Sequence, residues 1–149
     1  MVGTETDVSP VVEALCRTME KIHRKVAVER RIEAELKFQG EQQDLEEMVG
    51  NLVDNACKWA QSRVAVEVRP EPNASRPMMR ITVDDDGRGL SAQEREQVAQ
   101  RGRRLDETKP GSGLGLSIVV DLAQLYRGSL VLGAAPIGGL RAELILPVA

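Results

Sequence analysis

The sequence predicts an α+β fold: a two-layer sandwich in which a mixed sheet carries helices on one face. Three observations predict it. Strand-like segments arrive in pairs separated by helical ones, not singly as in a doubly wound sheet. The 149 residues suit one domain with a real core. Aromatic residues make up only 2% (Phe38, Trp59 and Tyr126), so that core must be aliphatic.

Residues 1–8 read as a flexible leader and residues 9–149 as a single domain. Ser9 followed by Pro10 is a helix start, with Ser as N-cap and Pro in the first turn. Val11, Val12, Leu15, Met19 and Ile22 then form a helical stripe. Lys21, His23, Arg24 and Lys25 close it with the positive charge that suits a helix C-terminus. His23, the only histidine, needs no further role there. Val26, Val28 and Arg30 alternate as a strand, and Leu36, Lys37 and Phe38 make a short second one stopped by Gly40.

The long helix that follows, over 44–60 and starting near Glu41, organises the rest. Stepping 100° per residue puts Leu45, Met48, Leu52, Ala56 and Trp59 on one side, with Val49 and Val53 beside them. Glu47, Asn51, Asp54, Asn55 and Lys58 fall on the other. A solvated helix face would normally favour Lys and Glu over Asn. Two amides at i and i+4, with Lys58 a turn further, make a ridge able to hold a metal-bound polyphosphate. The plainer reading is a helix that merely tolerates two asparagines.

Residues 64–68 form a strand, and a polar loop runs from Pro70 to Pro77. Residues 78–83 form the next strand, closing on Asp85, Asp86, Gly87, Arg88 and Gly89. Ser91 and Glu94 have capping-box spacing and open a short helix to about Gln100. Residues 101–112 have no periodicity, carry four cations and read as a mobile lid. A helix over 113–126, with Leu116, Val119, Val120 and Ala123 inward, ends at Gly128. Strands over 129–133 and 140–146, joined by a loop with Pro136, Gly138 and Gly139, close the chain as a hairpin.

Net charge is −3, which advertises neither nucleic acid nor an anionic membrane. No apolar run approaches the roughly 18 residues of a membrane span, and no signal peptide opens the chain, so a cytoplasmic location is expected. The sequon at Asn73 is ignored for that reason. Cys16 and Cys57 lack metal-ligand spacing and read as reduced core residues.

Two further motifs carry chemistry. An aspartate fixed at a strand end, such as Asp85, can accept a hydrogen bond from an exocyclic amine, and Gly87 and Gly89 let the backbone approach a planar ligand. Gly111, Gly113 and Gly115, with Ser112, Leu114 and Leu116 between and after them, open a helix whose free N–H groups and dipole favour an anion. This is no dinucleotide fingerprint, because no strand immediately precedes it, and no Walker loop, because no Gly-Lys-Ser/Thr follows.

An amide-rich helix, a strand-end DxGxG and a glycine-rich helix start, in this order with a basic segment between the last two, resemble the ATP-binding catalytic domain of bacterial sensor histidine kinases. That domain shares a superfamily, and the Bergerat ATP-binding fold, with gyrase, Hsp90 and MutL. Residues 51–58 resemble the family's N box, residues 85–89 its G1 box and residues 111–116 its G2 box. The runs over 40–59 and 101–116 are similar to PhoQ-type kinases in particular.

The resemblance implies the following roles. Asn55, with Asn51, binds the magnesium that bridges the phosphates, and Lys58 meets the phosphates as a point charge. Trp59 stands where the family usually has Tyr, beside adenine or ribose. Asp85 accepts from the adenine amine, with Gly87, Gly89 and Leu90 around it. Arg104 and Lys109 neutralise the β- and γ-phosphates; Gly111, Ser112, Gly113, Leu114, Gly115 and Leu116 complete the ATP site. Cofactors are thus ATP and Mg2+, and the partners are a histidine-bearing dimerisation and phosphoacceptor domain and, downstream, a response regulator.

Asn51 stands where the ATP-hydrolysing relatives keep a glutamate. An amide cannot act as a general base, so hydrolysis should be very slow and the phosphoryl group kept for an acceptor. Departures from the family matter too. His23 lacks the acidic neighbour and the Arg-x-Pro-Leu pattern of an H box, so the acceptor domain is expected elsewhere and the chain is expected to be monomeric. Val98 and Ala99 replace the family's F-box phenylalanines, and Ser112 replaces the PhoQ-type glutamine. The alternatives are a nucleotide-binding regulatory module without transfer activity and, more distantly, an anti-sigma-type serine kinase, against which Asn51 counts.

Overall fold

The computed structural model describes residues 4–72, 74–99 and 114–149, with backbone only for 97–99 and 114. Strand β1 (Thr6–Asp7) leads into helix α1 (Val8–Ile22), then β2 (Ala27–Ile32), β3 (Lys37–Phe38) and helix α2 (Gln42–Trp59). Strands β4 (Arg63–Pro70) and β5 (Met78–Asp85) follow, then helices α3 (Ala92–Ala99) and α4 (Leu114–Leu125), and strands β6 (Ser129–Ala134) and β7 (Leu140–Pro147). The main sheet has the order β2-β4-β5-β7-β6; β2 and β4 run parallel and the other neighbours antiparallel. The expected α+β sandwich with a mixed sheet is what forms.

Period-2 alternation sorts each strand between two faces. Val64, Val66 and Val68 of β4, Met79, Ile81 and Val83 of β5, and Ala142, Leu144 and Leu146 of β7 are buried together under the helices. The opposite face is polar, with cross-strand ion pairs such as Arg141 with Asp84 and Arg80 with Glu143. Helix α2 lies between α1 and α4, both of which pack on it. That middle place buries more of its circumference than the expected apolar stripe: Asn55 is only 6% exposed, although its helical angle puts it on the face expected to be solvated.

The N-terminal segment departs from expectation. Thr6 and Asp7 pair with Phe38 and Lys37, Thr6 Oγ1 donates to the Gly40 carbonyl, and Val8 is buried. The flexible leader therefore does not extend through residues 6–8, and Asp7, not Ser9, is the N-cap residue. Within α1, Ile22 is 62% exposed, while Cys16 takes a fully buried place in the stripe. At the end of α4 the left-handed residue is Arg127, with φ of 59°, and the Gly128 N–H returns to the Ala123 carbonyl at 2.8 Å. Gly128 is required for another reason: a Cβ there would collide with the Ile145 carbonyl of β7. The capping box forms as expected, Glu94 N–H to Ser91 Oγ at 3.1 Å and Ser91 N–H to Glu94 Oε1 at 2.9 Å.

Candidate functional site

Three consecutive aspartates stand at the end of β5 and just beyond it, and each has different surroundings. Asp84 faces the open side of the sheet, where both carboxylate oxygens accept from Arg141 at 2.9 Å. Asp85 continues the inward row of Ile81 and Val83 and is 1% exposed. Asp86 lies past the strand end. Its Oδ1 accepts from the backbone N–H groups of Gln61, Ser62 and Arg63 at 2.8, 3.0 and 3.1 Å, and its Oδ2 from Ser62 Oγ at 2.8 Å. Desolvation opposes ionisation of Asp86, but these bonds together bring its carboxyl down to about 2. Asp86 is thus a clamp that fastens the turn after α2 to the end of β5.

Asp85 lines a cleft together with Asn55, Trp59, Gly89, Leu90, Leu116 and Leu140, between α2, the end of β5, α4 and the start of β7. Its Oδ1 accepts from Gly87 N–H at 2.9 Å and Leu140 N–H at 3.3 Å. Burial pushes the Asp85 carboxyl above the usual carboxylate range, against the pull of those two bonds. The cleft is apolar apart from a carboxylate and an amide, a composition that selects a flat ligand by one or two oriented hydrogen bonds.

Glycines make the approach possible. A Cβ on Gly87 would overlap the Trp59 carbonyl oxygen, and one on Gly139 would overlap Asp85 Oδ1. Gly89 has φ of 73°, left-handed backbone that favours glycine. Trp59 closes the end of α2, with the Arg88 guanidinium 4.6 Å from its ring centroid. Arg88 lies 3.6 Å from Glu94 of the capping box, so the wall of the cleft is tied to the start of α3.

The amide ridge runs along α2 toward the first turn of α4. Asn51 Nδ2 donates to the Glu47 carbonyl at 2.7 Å. Its Oδ1 lies 3.1 Å from where a Cβ on Gly115 would stand, so a side chain at Gly115 would crowd the amide. Lys58 Nζ sits 3.2 Å from Asp54 Oδ2. No cluster of three or more His, Cys, Asp or Glu suited to a metal exists among the described residues. Among the described residues of this ridge, the neutral amides of Asn51 and Asn55 are a donor set that fits magnesium, which keeps several waters and takes few protein ligands. Cys16 and Cys57 are free and buried, their thiols pushed up to about 11 and about 12, first by desolvation.

The structure therefore brings together Asn51, Asn55, Trp59, Asp85, Gly87, Gly89, Leu90, Gly115 and Leu116, with Lys58 one turn beyond Asn55. Leu114 opens α4. Arg104, Lys109, Gly111, Ser112 and Gly113, with the expected lid over 101–112, lie outside the described residues. Sequence reasoning missed Gly139 and Leu140, which it treated as hairpin residues, and Asp86 and Arg88, which it passed over inside the DxGxG motif. Nothing local marks Leu140; its role comes from the pairing of β5 with β7.

Known proteins match this arrangement. The family described as histidine kinase-, DNA gyrase B- and HSP90-like ATPase matches residues 40–149. The sensor protein kinase CarS of Pseudomonas aeruginosa is 41% identical over 147 residues, which are 98% of this chain and 32% of CarS. The sensor protein PhoQ of Escherichia coli is 34% identical over 140 residues, 93% of this chain and 28% of PhoQ. The chain thus spans about a third of the length of these curated relatives. The solved mycobacterial sensor histidine kinase MprB superposes with a TM-score of 0.83 at 27% identity, covering 99% of this chain and 98% of that one. With an amide-bearing helix, a strand-end aspartate in an apolar cleft and relatives of this closeness, the chain belongs to the histidine kinase-, DNA gyrase B- and HSP90-like ATPase family, as an ATP-binding domain of the sensor histidine kinase kind.

Proposed function

We propose that this chain is the catalytic domain of a two-component sensor histidine kinase, holding ATP and passing its γ-phosphoryl group to a histidine on a separate helical dimerisation and phosphoacceptor domain, with a response regulator downstream. The carrying observation is Asp85. A buried carboxylate, held by two backbone N–H groups at the edge of an apolar cleft, is an acceptor for the amine of adenine, and it would repel the carbonyl oxygen of guanine in the same place.

The remaining roles follow from position. Trp59 and Leu90 flank the base, and Leu116 and Leu140 form the apolar floor. Asn55 and Asn51 would hold magnesium, which neutralises the phosphates when bound. Lys58 supplies a point charge to the phosphates, as Arg104 and Lys109 would from the segment before α4. Phosphoryl transfer depends mainly on positioning and charge neutralisation, so no protein nucleophile is needed. Asn51 cannot activate water, so turnover of ATP by the chain alone should stay well below about 1 per second. The domain is read as working on the cytoplasmic side of a membrane-anchored sensor; among the described residues no helix is long and apolar enough to cross a membrane.

Calorimetric titration with a non-hydrolysable ATP analogue, with and without magnesium and with the GTP analogue beside it, tests the reading. Magnesium-dependent binding that excludes the guanine nucleotide is expected. Equal binding of both nucleotides would remove Asp85 from its role. An ATPase rate of 1 per second or more would remove the kinase assignment.

A further inference from the structure

His23 caps the C-terminal end of α1, 31 residues before Asp54, yet its ring is bonded to the amide-bearing helix. Its Nε2 lies 2.9 Å from Asp54 Oδ1, and the other oxygen of the same carboxylate lies 3.2 Å from Lys58 Nζ. The His23 side chain is 18% exposed, Asp54 32% and Lys58 39%, so the row is partly screened from water without being buried. One carboxylate therefore serves two basic groups, one at the end of α1 and the other on α2, a turn beyond Asn55. Around His23 the charged or titratable neighbours are Arg24 and Lys25 from its own end of the chain and Cys57 and Lys58 from α2, which line a shared surface hollow.

We propose that His23 and Asp54 are positioning residues for Lys58, so that proton uptake by His23 loosens the hold of Asp54 on Lys58 and tightens nucleotide binding. This rests on the reading of Lys58 as a phosphate contact. A neutral imidazole donates one hydrogen bond to Asp54 and leaves its charge to Lys58. An imidazolium takes a full share of that charge, and Lys58 is then held less firmly and turns more readily to a polyphosphate. Linkage makes the effect reciprocal: a nucleotide that draws Lys58 away leaves Asp54 to His23 and raises the proton affinity of the ring. Affinity should therefore be higher at pH 5.5 than at pH 8.0. A partly exposed ion pair of this kind corresponds to a change of about two- to fivefold in binding.

The experiment uses the untagged chain, in which His23 is the only histidine and gives a single imidazole resonance. Its titration midpoint is measured by NMR with and without saturating magnesium and non-hydrolysable ATP analogue, in the wild type and in Lys58→Met. Calorimetric affinities at pH 5.5 and pH 8.0 are compared between wild type and His23→Gln, whose circular dichroism checks folding. The nucleotide's own phosphate titrates in the same range, but equally for both proteins. The expected result is a midpoint raised by nucleotide in the wild type and unmoved in Lys58→Met, with an affinity ratio about two- to fivefold larger in the wild type than in His23→Gln. Equal ratios and a midpoint blind to nucleotide, where Lys58→Met still weakens binding, would overturn the coupling alone. A midpoint that still rises in Lys58→Met would show a direct field and overturn the relay. Unchanged affinity in Lys58→Met would remove Lys58 from the phosphates, and the coupling with it; absence of any nucleotide binding would overturn the ATP reading itself.

Discussion

At the scale of single residues, Asp85 sets stability against function. Its folded-state carboxyl is raised above the ordinary range by burial. A group so shifted favours folding most below its unfolded value, near 4, and this contribution disappears as pH rises through the raised value. Once ionised, the buried Asp85 carboxylate is therefore a net burden on the fold. Asp85→Asn keeps an oxygen for the Gly87 and Leu140 N–H groups and removes the charge. Thermal unfolding at pH 7 should show it as stable as wild type or more so, by up to about 1 kcal/mol, while calorimetry shows adenine nucleotide binding lost. A destabilised Asp85→Asn would mean that the carboxylate is structural. That Asp85 points inward among three aspartates was legible in the sequence, because Ile81, Val83 and Asp85 share one period-2 face. The clamp made by Asp86 was not, because its partners are backbone N–H groups 23 to 25 residues earlier.

At the scale of elements, the hairpin of β6 and β7 is part of the site, not an appendage to the sheet. Gly139 N–H bonds the Asp85 carbonyl at 3.0 Å, and a Cβ at Gly139 would run into the Asp85 carboxylate. Gly139→Ala should destabilise the fold by about 1–3 kcal/mol, the usual range for overpacking, and should weaken ATP-analogue binding at the same time. Denaturant unfolding and calorimetry on one preparation check both. Unchanged binding would mean that the hairpin can yield without moving Asp85. The element pattern itself was readable: α2, the capping box of α3 and the inward face of α4 all lie where their periodicity and caps put them. The errors fell at the ends. The pairing of β1 with β3 joins Thr6 to Phe38 and Asp7 to Lys37, distant positions in the chain, and Arg127 adopts the left-handed turn at a place where sequence rules nominate glycine.

At the scale of the whole molecule, the large hydrophobic side chains exposed among the described residues are Ile22, Leu125 and Val131. They sit on three different elements, α1, α4 and β6. A stable interface buries roughly 1,200–2,000 Å2 in all, around an apolar centre, and three side chains are too few to make one. The chain alone should sediment as a monomer at tens of micromolar; a tight dimer would contradict this and would move the dimer contact into the catalytic domain.

What the sequence by itself determined is whatever is encoded over a few neighbouring positions. Hydrophobic period fixed the helices and strands, glycine spacing and the two amides fixed the nucleotide motifs, and Asn51 at the ATPase glutamate position fixed the expectation of slow hydrolysis. What only the tertiary structure decided is whatever depends on register between distant segments. The β5–β7 pairing brings Leu140 and Gly139 onto Asp85, the flanking of α2 by α1 and α4 buries Asn55, and the meeting of the α1 end with α2 sets His23 against Asp54. Local periodicity states which face of an element is apolar. It does not state which element will cover that face, and the covering element decides which polar groups end up sharing a proton, a charge or a ligand.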